Sequence, residues 1–244
     1  MSNPVLENVI NNRENGQYTT SLPMTIQGTI NKLFVMTVML VLSFSAVWYQ
    51  YSLGYADKVG FLTTCGFIIG FIVAMIICFT RKAMNILVPI YSICEGLALG
   101  GLSAIMNAQY PGIVVQAVSL TFLALFAMMG LYSAKVIQAT DKFRSVILIT
   151  TIAIGLFYLV AIIGSFFNIQ LPLIYSSSPI GIAFSVIVCG VAALNLILDF
   201  DFVERGALNG LSKEYEWYGA FGLMVTIVWL YIEILRLLAK MRNK

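Results

Sequence analysis

Seven apolar runs, each near the roughly 20 residues that cross a hydrocarbon core, fill most of this sequence. They lie at about 31–51, 59–79, 86–106, 112–133, 145–167, 178–198 and 218–238. A bilayer interior leaves a chain only two solutions, helices or a closed barrel, because every backbone polar group must find its partner within the protein. Strand-sized alternation of apolar and polar residues is absent, so the runs are predicted to be transmembrane helices. Composition points the same way: 60% of the 244 residues are hydrophobic and 10% are charged, with a mean hydropathy of +0.92. A soluble domain carries about 25% charged residues, so a soluble globular protein is excluded.

The runs are linked by short hydrophilic loops, too small for a further domain, and no internal repeat is visible. The organisation read from this is a polar N-terminal tail over 1–29, one transmembrane domain over 30–239 and a basic C-terminal tail over 240–244. The N-terminal stretch lacks the charged n-region and apolar h-region of a cleaved signal peptide. Loop charge sets the orientation. With seven crossings, Arg13, Lys32, Arg81, Lys82, Lys135, Lys142, Arg144, Arg205 and Lys213 share the N-terminal side, and Lys58, Arg236, Lys240, Arg242 and Lys244 the other. The internal loops place the N-terminus in the cytoplasm. The basic C-terminal end then breaks the rule once, unless the last run does not cross fully.

The chain has no histidine. That removes Ser-His-Asp and Cys-His catalysis, His-ligated zinc, His-ligated haem and the usual near-neutral pH switch. Proton chemistry must run on carboxylates, Lys, Tyr or Cys. Cys65, Cys78, Cys94 and Cys189 all lie in apolar runs and form no CxxC pair, so they read as small buried hydrophobes. The net charge of +3 is scattered beside the apolar runs. That pattern fits a bilayer surface and not a nucleic-acid footprint.

A charge inside a transmembrane run costs about 2.5–3.5 kcal/mol on insertion scales, so the few present are the candidates for function. Glu95 sits near the middle of the third run, Asp199 at the end of the sixth, and Glu233 within the seventh. Asn195 and Asp199 are four residues apart and share a helix face. Asp201 points nearly opposite, so Asp199 is predicted to face the protein and Asp201 and Glu204 to meet water or headgroups. If Asp199 and Glu233 meet, two carboxylates in a low dielectric would share a proton, which makes a pH switch without histidine. The plainer alternatives are a pairing of Glu233 with Arg236 on its own helix, a solvated helix end for Asp199, and a hydrogen-bonded neutral carboxyl for Glu95. Gly96 and Gly100, like Gly66 and Gly70, form small-xxx-small patterns that let helices approach closely. Tyr215, Trp217 and Tyr218 read as interfacial anchors.

Several stretches together carry a family resemblance. They are Ser2-Asn-Pro-Val5, Met24-Thr-Ile-Gln-Gly-Thr-Ile-Asn-Lys32, Glu95-Gly-Leu-Ala-Leu-Gly100 and Tyr110-Pro-Gly-Ile-Val-Val-Gln-Ala117. The most specific are Leu196-Ile-Leu-Asp-Phe-Asp201, Tyr215-Glu-Trp217 and Phe221 through Leu238. In order and spacing the sequence resembles the bacterial branch of the Bax inhibitor motif family, multi-pass proteins of the transmembrane Bax inhibitor type. The resemblance implies an all-α integral membrane fold, a seven-helix bundle with a short last helix surrounded by the other six. It also implies an acidic pair on the last two helices acting as a pH-sensitive latch, in proteins that leak calcium. Carried onto this chain, the pair matches Asp199 and Glu233, the latter one methylene longer than the family's usual Asp. The family's second-helix arginine has its nearest counterpart in Arg81.

The function expected on this basis is a pH-sensitive calcium or cation leak in a bacterial cytoplasmic membrane. Asp199, Glu233 and Glu95 would line the ion pathway, and Arg236 or Arg81 would serve as counter-ion. Calcium or protons would pass transiently, with no bound cofactor, no resident metal and no nucleic-acid partner; beyond the lipid bilayer and the cations, the sequence names no protein partner. A proton-coupled secondary transporter would use the same carboxylates, and a regulatory protein bound to another membrane complex is the third class. Of enzymes, only a carboxylate-based intramembrane hydrolase survives the missing histidines, and it is not the expectation.

Overall fold

The computed structural model describes residues 22–80, 83–167 and 176–243. Among the described residues seven helices are long and apolar enough to cross a membrane. They are α1 (Ile26–Ser52), α2 (Ala56–Thr80), α3 (Met84–Gln109), α4 (Ile113–Ser133), α5 (Asp141–Phe166), α6 (Pro179–Leu208) and α7 (Tyr215–Arg242). The protein is an all-α integral, multi-pass membrane protein, the class expected from its apolar runs.

Local chemistry sets the ends of these helices. Thr25 caps α1 by accepting the Gly28 amide at 2.9 Å, and Thr140 caps α5 by accepting that of Phe143 at 3.3 Å. Each satisfies an amide that the first turn leaves unpaired. Gly112 enters α4 at a φ of 81°, a left-handed conformation open to glycine at no steric cost.

Three boundaries differ from those read in the sequence. Helix α6 does not stop near 198 but continues to Leu208, with Asp201 paired to Arg144 of α5, and ends where Gly210 turns left-handed at a φ of 62°. Asp199 is therefore not a helix end. Helix α7 spans 28 residues, longer than the short last helix that the resemblance implies, and its length and hydropathy suffice for a full crossing. It also absorbs most of the expected C-terminal tail, since the helix runs through Lys240 to Arg242. At the other end, α1 begins at Ile26, inside the expected 1–29 tail, and Met24 and Thr29 are buried. The tail residues before Leu22 lie outside the described residues.

The chain forms two compact units, each built from discontinuous segments. Among the described residues, one comprises those up to Gln109 with Phe202–Met224, the other those from Tyr110 to Asp201 with those from Val225 onward. In the first, α3 packs on both α1 and α2, and glycines set the spacing. A methyl group on Gly66 of α2 would lie 2.7 Å from the Cys94 carbonyl oxygen of α3, and one on Gly100 2.9 Å from the Phe44 carbonyl oxygen of α1. A methyl on Gly96 would run into Ser43 and the Leu40 carbonyl. Backbone contact this close lets dispersion and weak C–H···O contacts act over a long stretch where lipid gives no hydrophobic drive. In the second unit, Ile154 of α5 and Val188 and Val191 of α6 form a buried cluster against which Tyr158, Phe184 and Trp229 pack. Large apolar side chains such as Phe61, Phe71, Phe79, Leu123 and Ile180 are exposed, as lipid-facing residues must be.

Candidate functional site

The second unit holds a polar seam between α6 and the later turns of α7. On α7 the residues Thr226, Trp229, Glu233, Arg236 and Lys240 recur at alternating steps of three and four, which keeps them on one face. Helix α6 runs antiparallel to it. Asp199 meets Thr226 at one end, and Ser185 meets Lys240 at the other.

Glu233 lies at the middle of the seam and is 1% exposed. Its Oε1 accepts hydrogen bonds from the Tyr158 hydroxyl at 2.9 Å, the Trp229 indole Nε1 at 3.2 Å and Arg236 at 3.2 Å. Arg236 also donates to Oε2 at 3.3 Å and to the Tyr158 hydroxyl at 2.8 Å, and its guanidinium lies over the Tyr158 ring, 5.0 Å from the centroid. A buried carboxylate is tolerable only when paired and hydrogen-bonded, and here one cation, one phenol and one indole supply that.

Asp199 is treated differently. It lies against Thr226, whose side chain hydrogen-bonds it. Its Oδ2 is buried with no hydrogen-bond partner among the described residues. Thr226 is seven residues from Glu233, about 10 Å along the helix axis. Among the described residues, Asp199 and Glu233 thus share no partner and no hydrogen bond. They occupy two levels of one seam and are not the contacting pair that the resemblance implies. Asn195, one turn from Asp199, donates to Thr151 of α5 at 2.8 Å and to the Val191 carbonyl at 2.9 Å.

The expectation that Asp201 meets water is overturned. Asp201 is 9% exposed and pairs with Arg144 of α5; the continued helix carries it back into the protein, where Arg144 satisfies it. Glu204 is exposed. Glu95 belongs to the other unit, half-buried beside Tyr91, with which it hydrogen-bonds, and Cys94. Arg81 lies outside the described residues. Among the described residues, no three acidic or thiol side chains gather into a metal-holding group.

Two charged residues escaped the sequence reading. Glu216, at the start of α7, is 1% exposed. It accepts from the Thr25 amide at 3.0 Å, from the Thr25 hydroxyl at 2.9 Å and from Lys32. Lys240 is 5% exposed and donates to the Gly181 carbonyl at 3.0 Å and the Ser185 hydroxyl at 2.9 Å. The signal for Lys240 was present: it falls on the same three-and-four series as Glu233 and Arg236. That for Glu216 was not, since its partners come from the far end of the chain.

Comparison with protein families adds one finding. The family model described as Bax inhibitor 1 like matches residues 3–243, nearly the whole chain. The chain belongs to the Bax inhibitor 1 like family. No curated protein matches it. This Bax inhibitor 1 like protein thus carries the family's pattern along its length, with a glutamate at position 233 held by Tyr158, Trp229 and Arg236.

Proposed function

We propose that the protein is a pH-sensitive leak for cations, calcium foremost, in a bacterial cytoplasmic membrane with its N-terminus in the cytoplasm, and that it acts in transport, not as an enzyme. The observation that carries this reading is the buried, unpartnered Oδ2 of Asp199 on a seam that leads to Glu233. A buried carboxylate oxygen left without a donor is costly, and a proton or a hard cation is what completes it. Carboxylate, hydroxyl and carbonyl oxygens are also the ligands that calcium prefers.

In the resting arrangement Glu233 is neutralised by Arg236 and fixed by Tyr158 and Trp229. Proton exchange at Asp199 alters its hold on Thr226, and therefore the seating of α7 against α6. A shift of α7 exchanges Glu233 from Arg236 to the passing cation. The groups facing the two acids are Thr226 for Asp199, and Tyr158, Trp229 and Arg236, with Cys189 and Lys240 nearby, for Glu233. The test is calcium flux into liposomes holding purified protein, measured across a range of pH. Asp199→Asn and Glu233→Gln should change the flux and flatten its pH profile; if both leave rate and profile as in the wild type, the reading fails.

A proton-coupled transporter is the second reading. The Tyr158 hydroxyl that donates to the buried Glu233 carboxylate, a pair of groups able to exchange a proton, favours it. Uphill uptake driven by an imposed pH gradient, which no leak produces, would select it.

A further inference from the structure

Lys240 stands where a lysine has an easier choice. It lies in the last turn of α7, and the next residues, Met241, Arg242 and Asn243, are exposed. A lysine so placed normally snorkels to the interface, and Arg242 does reach outward, donating to the Pro111 carbonyl at 2.8 Å and to Gln116 at 2.9 Å. Lys240 turns inward instead and is 5% exposed. Its ammonium sits on the Gly181 carbonyl and the Ser185 hydroxyl, in the first two turns of α6. That is the positive end of the α6 dipole, where a cation is disfavoured. Desolvation, the dipole and the Arg236 charge oppose this position, while the two oxygens and the Glu233 charge favour it.

A backbone carbonyl and a hydroxyl facing a buried positive charge are oxygen donors of the kind that replace part of an ion's hydration shell. They stand at one end of the same α7 face that carries Arg236, Glu233 and Thr226. Resting on the leak reading above, we propose that Gly181 O and Ser185 Oγ form a cation site at one mouth of the α6–α7 seam, and that Lys240 fills it as a tethered cation. The ammonium competes with the permeating ion and holds the resting leak low. Calcium passes this mouth when Lys240 swings out toward the neighbouring surface.

The experiment is calcium flux in liposomes with wild type, Lys240→Met, Lys240→Gln, Lys240→Arg and Lys240→Met combined with Ser185→Ala, each checked for helix content and a single species in detergent. Lys240→Met should raise the resting leak by about tenfold, the scale of one charge-assisted hydrogen bond. Lys240→Arg, which keeps a cation on the tether, should stay near wild type. Ser185→Ala, which removes a ligand from the lysine and the calcium ion alike, should lower the leak of Lys240→Met when the two changes are combined. Lys240→Gln, which also deletes the charge but keeps a polar group against the two oxygens, should raise the resting leak and keeps the proposal testable if Lys240→Met does not fold. The proposal is overturned if folded Lys240→Met, or in its absence Lys240→Gln, leaks no faster than wild type. If Asp199→Asn still changes the flux in that case, the carboxylate pathway stands and only the tethered cation falls. If neither wild type nor any variant conducts, both readings fall together.

Discussion

Replacing Arg236 with methionine isolates the energetics of the Glu233 cluster. The substitution keeps the apolar stem and deletes the guanidinium. Glu233 loses contacts at 3.2 and 3.3 Å and Tyr158 loses a donor at 2.8 Å, while the carboxylate stays buried with only the phenol and the indole. Removing one partner of a fully buried ion pair costs about 3–5 kcal/mol. The Arg236 side chain is 34% exposed, so solvent screens part of the pair, and the expected cost is about 2–3 kcal/mol. Glu233→Gln alone should cost about 1–2 kcal/mol, because an amide still accepts from Tyr158 and Trp229. The double variant Glu233→Gln with Arg236→Met should be little worse than Glu233→Gln, which leaves a coupling of about 2–3 kcal/mol, nearly the whole cost of Arg236→Met. The assay is reversible unfolding in mixed micelles followed by helix content. Were Arg236→Met to cost under about 0.5 kcal/mol, or the two changes to add within that margin, the buried ion pair would not be what holds this part of α7.

Two more expectations follow from the packing and from α5. Gly96→Ala should destabilise strongly, by about 2 kcal/mol or more, since its methyl meets the Leu40 carbonyl of α1, whereas Gly155→Ala, with nothing within 4 Å, should be neutral or stabilising by a few tenths; unfolding of the two variants side by side checks this, and equal effects would contradict the close α1–α3 approach. Arg144→Met should cost more than the pair Arg144→Met with Asp201→Asn, because the single change strands a carboxylate that is 9% exposed and the double change does not; a double variant less stable than the single one would return Asp201 to the solvated role read from its position.

Much of the architecture was legible without coordinates. Apolar runs of bilayer length leave helices as the economical solution, so the number and approximate place of the spans follow from hydropathy. The close-packing role of Gly66, Gly96 and Gly100 followed from their four-residue spacing. The helix ends did not, because charged residues such as Asp201 continue a helix when a partner on another element awaits them. The candidate acids were visible for the same reason as the spans: Glu95, Asp199 and Glu233 are costly where they stand. Their partners were visible only in part. Arg236 is three residues from Glu233 and lies on its face, a local relation that periodicity exposes. Tyr158, 75 residues away, is not local, and neither is Thr25, which comes 191 residues before Glu216.

The sequence by itself determined that this chain lives in a bilayer, that its spans are helices, and that any proton chemistry falls to a few carboxylates, since transfer free energies and the absence of histidine depend only on composition and order. The tertiary structure decided which charges are satisfied and by what. It pairs Asp201 with Arg144, clamps Glu233 with Arg236, Tyr158 and Trp229, leaves Asp199 Oδ2 open and turns Lys240 inward onto α6. The physical reason is range: burial cost is a property of each residue, but compensation for it acts over about 3 Å, between residues that only folding brings together.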